Sequence, residues 1–498
     1  MSKKPDSFTV FTRSLSEKDR QTVRSFTDGW KKHFDLPASE EKLLLEDARE
    51  ALMALTGAGT DLDEAVRRLS PANLGGFYAH EALSWYPLDD AAKIYPLSLK
   101  FGRMPIFRLS CYLLKPVVPQ LLQVALDFTI KRFPSFATIV RRGFIWHYLD
   151  SIKRRFSISK ESGPPCQPLK ITAAGVQSFR VLYHDNRISV EFFHVLTDGH
   201  GGMVFLKTLV AEYLRLTGVE FTPSEGVFDI NEPARGGEFS NDFERFCPNS
   251  RKTGGFGGKA ALQMGGKLSR LAPCRVCQLV YSTDSLLERA HNMGVSVTAL
   301  VLSLMFHAQC SATESREGLM KIQVPVDMRH HFTESETLRN FSMYCSIDLS
   351  PDQVTDVRQT ALEVAEQLKS RSTFEEMAVM MTTARKLVRS LRFIPLIAKI
   401  PVARFLYGFL GDSRFSNTLS NLGRIMMPPE LASQIAGFDF VLGTTVVSRA
   451  ACAICSFGGN TVLSVSKSTK DPSFEERLLA LSESLGLETR VTETPLYE

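Results

Sequence analysis

Hydrophobic and polar positions along this chain follow two different periods, and the period changes from segment to segment. Between Arg187 and Phe193, Ile188, Val190 and Phe192 fall on one side of an extended run, with Ser189, Glu191 and Phe193 on the other. A second β-rich run, Arg180 to His184, precedes it, and the Asp185-Asn186 pair between them predicts a hairpin turn. Beyond Gly199 the period becomes helical. Met203, Leu206, Leu209, Val210, Tyr213 and Leu214 share one face, and Thr208, Glu212 and Arg215 lie opposite.

The same reading extends over the chain. Ser39 to Leu55 has helical spacing, with Ser39 as N-cap and the stretch Gly57 to Gly59 as its end. Arg108 to Leu114 reads as a strand, Val118 to Arg132 as a helix, and Phe136 to Leu149 as strand and turn. Asp284 to Ala308 predicts a helix pair split at Gly294. Lys321 to Arg329 alternates as a strand, with Asp327 and Arg329 on one face; Pro325 inside it predicts an edge or splayed position. Pro351 to Leu391 is helical with charges of both signs. Val446 to Ser456 and Val462 to Ser466 form a hairpin around Gly458-Gly-Asn460, and Phe474 to Leu485 is an amphipathic helix.

Strands and helices therefore mix in both halves, which predicts an α/β protein of two similar lobes. The expected division is a helical N-terminal extension over 1–86, a first lobe over 87–271 and a second lobe over 272–498. The Gly-rich basic stretch from Asn249 to Gly266 reads as a flexible connection. It lacks the Gly-Lys-Ser or Gly-Lys-Thr that a phosphate loop needs.

Composition narrows the function classes. The chain has 498 residues, 44% hydrophobic and 23% charged, as a globular enzyme does. Its 59 basic and 54 acidic residues leave a net charge of +5, too small for a nucleic-acid binder and compatible with a phosphate-bearing donor. Nine cysteines and a polar N-terminus set the expectation of a reduced, cytoplasmic protein. The pairs Cys274/Cys277 and Cys452/Cys455 lie in strand-like runs and read as small core residues rather than a zinc site. Leu391 to Leu410 is basic, apolar and aromatic, but Arg392, Pro395, Lys399, Pro401 and Arg404 interrupt it as a membrane span. It reads as a packed helix pair with snorkelling cations, or as a surface in peripheral contact with lipid.

The chemistry concentrates in Phe193 to Gly199, which contains His-x-x-x-Asp-Gly between the predicted strand and a Gly-rich entry into a helix. An imidazole at a strand end can take a proton from an attacking hydroxyl, amine or thiol. A carboxylate four residues on, Asp198, can brace the loop through an ion pair, and Gly199 permits the turn. His200, His330 and His331 are weaker candidate bases. Cys345 is a conceivable nucleophile, but its strand position favours the core.

These segments resemble the acyltransferase superfamily of chloramphenicol acetyltransferases, nonribosomal condensation domains, plant-type BAHD acyltransferases and alcohol acetyltransferases. The likeness extends to Lys321-Ile-Gln-Val-Pro-Val-Asp-Met-Arg329, to Leu338-Arg-Asn-Phe-Ser-Met-Tyr-Cys345 and to Leu419-Ser-Asn-Leu-Gly423, in the family's order, over roughly Trp85 to the C-terminus. It is nearest to the alcohol acetyltransferase branch. The first of two adjacent condensation-domain histidines is Phe193 here, and the plant-type Asp-Phe-Gly-Trp-Gly is absent.

The resemblance implies a two-lobed fold with a central tunnel in which a thioester and its acceptor meet at His194 as general base. It makes Asp198 a structural aspartate paired with Arg329, and it offers Ser420 or Asn421 as an oxyanion donor or a turn residue. It implies acyl-coenzyme A as co-substrate, a hydroxyl- or amine-bearing acceptor that the apolar stretch hints is hydrophobic, no permanently bound cofactor, no metal, and a monomer. Two further readings are a condensation-type enzyme fed by an acyl carrier protein in trans, and a catalytically silent binding or scaffold protein docking through its N-terminal extension.

Overall fold

The computed structural model describes residues 6–79, 85–97, 104–172, 175–248, 252, 254–255, 258–401, 412–444 and 448–497. Their strands form a seven-stranded sheet and two five-stranded sheets.

The hairpin expected at Asp185-Asn186 is present. Phe179–His184 and Arg187–Phe193 pair antiparallel, from Phe179 opposite Phe192 to His184 opposite Arg187. Asp185 has a φ of 49°, a conformation that Asp tolerates better than most residues. These strands lie in a sheet of order Ile435–Leu442, Ile106–Leu113, Arg187–Phe193, Phe179–His184, Ile158–Lys160. One face carries Phe107, Leu109, Ile188, Val190 and Phe192 into a common core with the helices Pro119–Thr129 and Gly199–Thr217. The other face is polar, with Arg108 opposite Glu191 and Ser110 opposite Ser189.

The first strand of this sheet comes from the second half of the chain. Ile435–Leu442 pairs antiparallel with Ile106–Leu113, placing Phe440 opposite Leu109. The boundary expected at 271/272 thus separates the sequence but not the sheets, because one strand of the second half completes the first half's sheet.

The second half builds the seven-stranded sheet, packed against Thr283–Met293, Val297–Ser311, Val357–Arg371 and Ser473–Ser484. The helix pair breaks at Gly294, whose φ is 75°. The strand Met320–Asp327 is internal rather than an edge. Its antiparallel partner Ser342–Leu349 runs along its whole length, whereas its parallel partner pairs only at Ile322 and Gln323. Pro325 lies beyond that pairing, where the strand is open on one side and a missing N–H costs no ladder bond.

The extension expected over 1–86 is largely helical where it is described and packs onto the first lobe. Its helices Glu17–Lys31, Ala38–Gly57 and Leu62–Arg68 share one continuous core with the first lobe. Trp30 stacks on Phe128 at 5.7 Å, and Arg155 donates to Asp47. The helix from Ala38 starts after Pro37 with no side-chain cap, so Ser39 is not its N-cap; proline already holds φ near the helical value. The helix face that the sequence offers as exposed is covered. Thr208 and Glu212 are both buried: Thr208 Oγ1 accepts the Phe228 N–H at 3.1 Å, while Arg215, paired with Glu212, reaches the Arg68 carbonyl.

Candidate active site

His194 ends the strand Arg187–Phe193, and its backbone N–H donates to the Pro105 carbonyl at 2.9 Å. Its ring is half-buried, stacked on Tyr95 with centroids 4.9 Å apart and edge-on to Phe107 at 5.2 Å. Nδ1 lies 2.8 Å from Asn340 Oδ1. The amide orientation follows from the far side, where Asn340 Nδ2 donates to Asp89 Oδ2 at 3.2 Å. A carboxylate oxygen can only receive that N–H, so Oδ1 faces the histidine and Nδ1 carries the proton. In the neutral imidazole, Nε2 is then the basic nitrogen.

Asp89 is fully buried, accepts the Ala92 N–H at 2.7 Å, and lies 3.7 Å from Arg339 Nε. Burial pushes its carboxyl up, against the opposing pull of Arg339, Ala92 and Asn340. Arg339 is held by the Pro87 carbonyl at 2.6 Å. Sequence reasoning assigned no role to Asn340 or Asp89. The signal for Asn340 was present in the Asn-Phe pair of the third motif, but only folding brings 146 residues of separation down to one hydrogen bond.

Asp198 points away from His194. It caps the helix Gly199–Thr217 by accepting the Gly201 N–H at 3.2 Å. Its Oδ2 accepts Arg329 Nη1 at 3.0 Å, the Phe341 N–H at 2.9 Å and Ser342 Oγ at 3.2 Å. Burial alone would raise its pKa, but Arg329 and these donors hold it below the usual carboxylate range. Arg329 also donates to Asp327 and to the carbonyls of Thr337 and Arg339. The expected pair is therefore real, and it clamps the motif loop to the 337–342 segment of the second half.

Gly199 is needed for space rather than conformation. It begins the helix, and a Cβ there would lie 2.7 Å from Leu422 Cδ2. The tightest glycine is Gly201, where a Cβ would meet the Leu338 carbonyl oxygen at 2.0 Å.

The strand Asn417–Arg424 lies against this loop through Leu422. Asn421 has the turn role: its Oδ1 accepts the Gly423 N–H at 2.7 Å and its Nδ2 donates to Thr298 at 3.0 Å. Ser420, one residue earlier, pairs with Ala453, and the strand's register shifts between Asn421 and Arg424. His200, His330 and His331 are exposed. Cys345 is buried in its strand, with its thiol pushed up to about 11 by burial.

The four Cys-x-x-Cys cysteines are buried, and their strands pair with one another's neighbours in a packed sheet. A cleft of about 630 Å³ between the sheets is lined by Tyr112, Arg187, Gln278 and Asp439. The cleft is also lined by Arg108 and Val441, which lie in register with Glu191, three residues before His194, so it extends to about 10 Å from His194 along the strand.

No protein-family model matches the chain, and no curated protein matches it in sequence. Solved structures do. F. graminearum TRI101 complexed with coenzyme A and T-2 mycotoxin superposes with a TM-score of 0.57 at 11% identity, over 82% of this chain and 100% of that one. The chain has the chloramphenicol acetyltransferase-like fold. TRI3 trichothecene 15-O-acetyltransferase from Fusarium sporotrichioides shares this fold with a TM-score of 0.51 at 12% identity, over 80% of this chain and 94% of that one. The nonribosomal peptide synthetase FmoA3 gives 0.51 at 14% identity, over 82% of this chain and 43% of that one. At such identities the likeness concerns the fold, and the two-lobed architecture implied by the motifs is the one observed.

Proposed function

We propose that this protein transfers an acyl group, acetyl foremost, from a coenzyme A thioester to the hydroxyl or amine of an acceptor, with His194 as general base. One observation carries the reading: Asn340 Oδ1 lies 2.8 Å from His194 Nδ1, which favours the proton on Nδ1 and supports Nε2 as the base. Nε2 takes the acceptor proton as the acceptor oxygen or nitrogen attacks the thioester carbonyl carbon. The resulting oxyanion requires a donor, and the Ser420 hydroxyl is the candidate on the facing strand. Collapse re-forms the carbonyl, breaks the C–S bond, and returns the proton from Nε2 to the leaving thiolate.

Asp198 and Arg329 take no part in proton transfer; they hold the loop that presents His194. The donor class is supported by TRI101, which is complexed with coenzyme A, and by TRI3, a 15-O-acetyltransferase.

The test is acceptor-dependent thiol release from acetyl-coenzyme A with a panel of alcohols and amines, wild type beside His194→Ala. Release lost in the variant supports the reading. Release from acyl carrier protein alone would reassign the donor, and no release from either would leave a non-catalytic protein.

A further inference from the structure

Four large apolar side chains are exposed close to one another. Phe144 and Phe393 are each 77% exposed, Ile397 72% and Trp85 59%. They belong to one surface. Phe144 sits at the tip between the strands Thr138–Arg142 and His147–Ser151. That tip is tied to the second half by the Leu396 N–H on the Phe144 carbonyl at 2.8 Å and by Lys399 Nζ on the Ile145 carbonyl at 2.8 Å. Lys399 Nζ also lies 3.4 Å from the centre of the Trp146 ring, and Trp85 packs edge-on to Tyr148 at 5.9 Å.

Basic residues predominate in the sequence around these side chains. From Met377 to Gly411 the sequence holds six basic residues and no acidic one. Lys386, Arg389, Arg392 and Arg142 are exposed beside the apolar side chains. The acidic residues of the helix Phe374–Ser390, Glu375 and Glu376, stand at its opposite end. Basic residues in water beside projecting aromatic and aliphatic side chains are what an anionic lipid surface selects: cations meet the headgroups while the apolar groups enter the acyl boundary.

The surface adjoins the candidate active site. The described segment 85–97 carries Trp85 in the patch, Lys93 within 5.9 Å of the Trp146 ring centre, and Tyr95 stacked on His194.

We propose that this basic, aromatic surface docks the protein on anionic membranes, so that an apolar acceptor would be taken from lipid. The docking itself stands without the acyl-transfer reading; only its use for the acceptor rests on that reading.

The experiment is co-sedimentation of the full chain with vesicles of phosphatidylcholine alone and of phosphatidylcholine with phosphatidylserine, at low and high salt. Binding is expected to the phosphatidylserine vesicles and to fall with salt. The double variant Arg389→Gln with Arg392→Gln should bind roughly 25-fold more weakly, about fivefold for each charge removed. Phe393→Ser with Ile397→Ser should weaken binding at any salt. All four positions are exposed, so the melting temperature is expected to stay unchanged.

Wild-type binding that is absent, indifferent to phosphatidylserine, or unchanged in both variants overturns the proposal, whatever the catalytic result. Thiol release with a soluble alcohol, assayed without vesicles, should be equal in wild type and both variants. Its absence in all of them, with vesicle binding intact, would instead count against the acyl-transfer reading alone.

Discussion

Arg329 Nη1 donates to Asp198 Oδ2 at 3.0 Å, joining the end of one lobe's motif loop to a strand end in the other. Both side chains are buried, so removing one partner strands a charge out of water. Asp198→Ala is expected to cost on the order of 3–5 kcal/mol, measured by chemical denaturation. The pH dependence follows from the sign. Asp198 has a lowered folded pKa, so its contribution is present above the unfolded carboxylate value, near 4. It is lost as pH falls through the lower folded value. Wild type should therefore lose stability more steeply than Asp198→Asn on acidification below about pH 4.

His194→Ala should reduce kcat/KM for thiol release by about two to four orders of magnitude. The far-ultraviolet circular dichroism should be unchanged, since the ring is only half-buried. A loss below tenfold would move the base elsewhere.

Asp89 couples the stability of the buried network to the orientation of Asn340. Its buried carboxyl is raised by desolvation, so ionisation opposes folding at neutral pH. Asp89→Asn also removes the partner of the buried Arg339 guanidinium, 3.7 Å away, and is expected to lower stability at pH 7. An amide at 89 no longer dictates which way Asn340 faces, and kcat/KM should fall about ten- to a hundredfold, as is usual for residues that orient a reactive group. A variant that loses stability and keeps activity would refute this positioning role.

Asn340→Asp tests the same chain from its middle. A carboxylate against Nδ1 favours the charged imidazolium. The acid limb of the kcat/KM profile should move to higher pH, because the base must first lose a proton. A merely structural role for Asn340 would lower activity equally at all pH values.

The two motif glycines should differ. Gly201→Ala drives a methyl into the Leu338 carbonyl at 2.0 Å, whereas Gly199→Ala meets only the end of the Leu422 side chain. Thermal unfolding should place Gly201→Ala at or beyond the upper end of about 1–3 kcal/mol and Gly199→Ala toward the lower.

Much of this was legible in the sequence because it is local. The 179–193 hairpin, the break at Gly294 and the helix after Gly199 follow from period and turn chemistry within a dozen residues. The position of His194 at a strand end was equally readable. So was the pairing of Asp198 with Arg329, which came from the resemblance rather than from spacing.

The tertiary structure alone decided what depends on distant segments meeting. Ile435–Leu442 crosses to the first lobe's sheet because that sheet has an open edge beside Ile106–Leu113, and no periodicity in either strand names its partner. The helix face of Thr208 and Glu212 is polar by sequence yet buried, because the Phe228 segment meets Thr208 and Arg68 of the N-terminal helices meets Arg215 beside Glu212. Asn340 and Asp89 lie 146 and 105 residues from His194 in sequence. Hydrogen bonds reach about 3 Å and carry no trace in residue order, so the sequence singled out His194, and only folding decided which groups its ring meets.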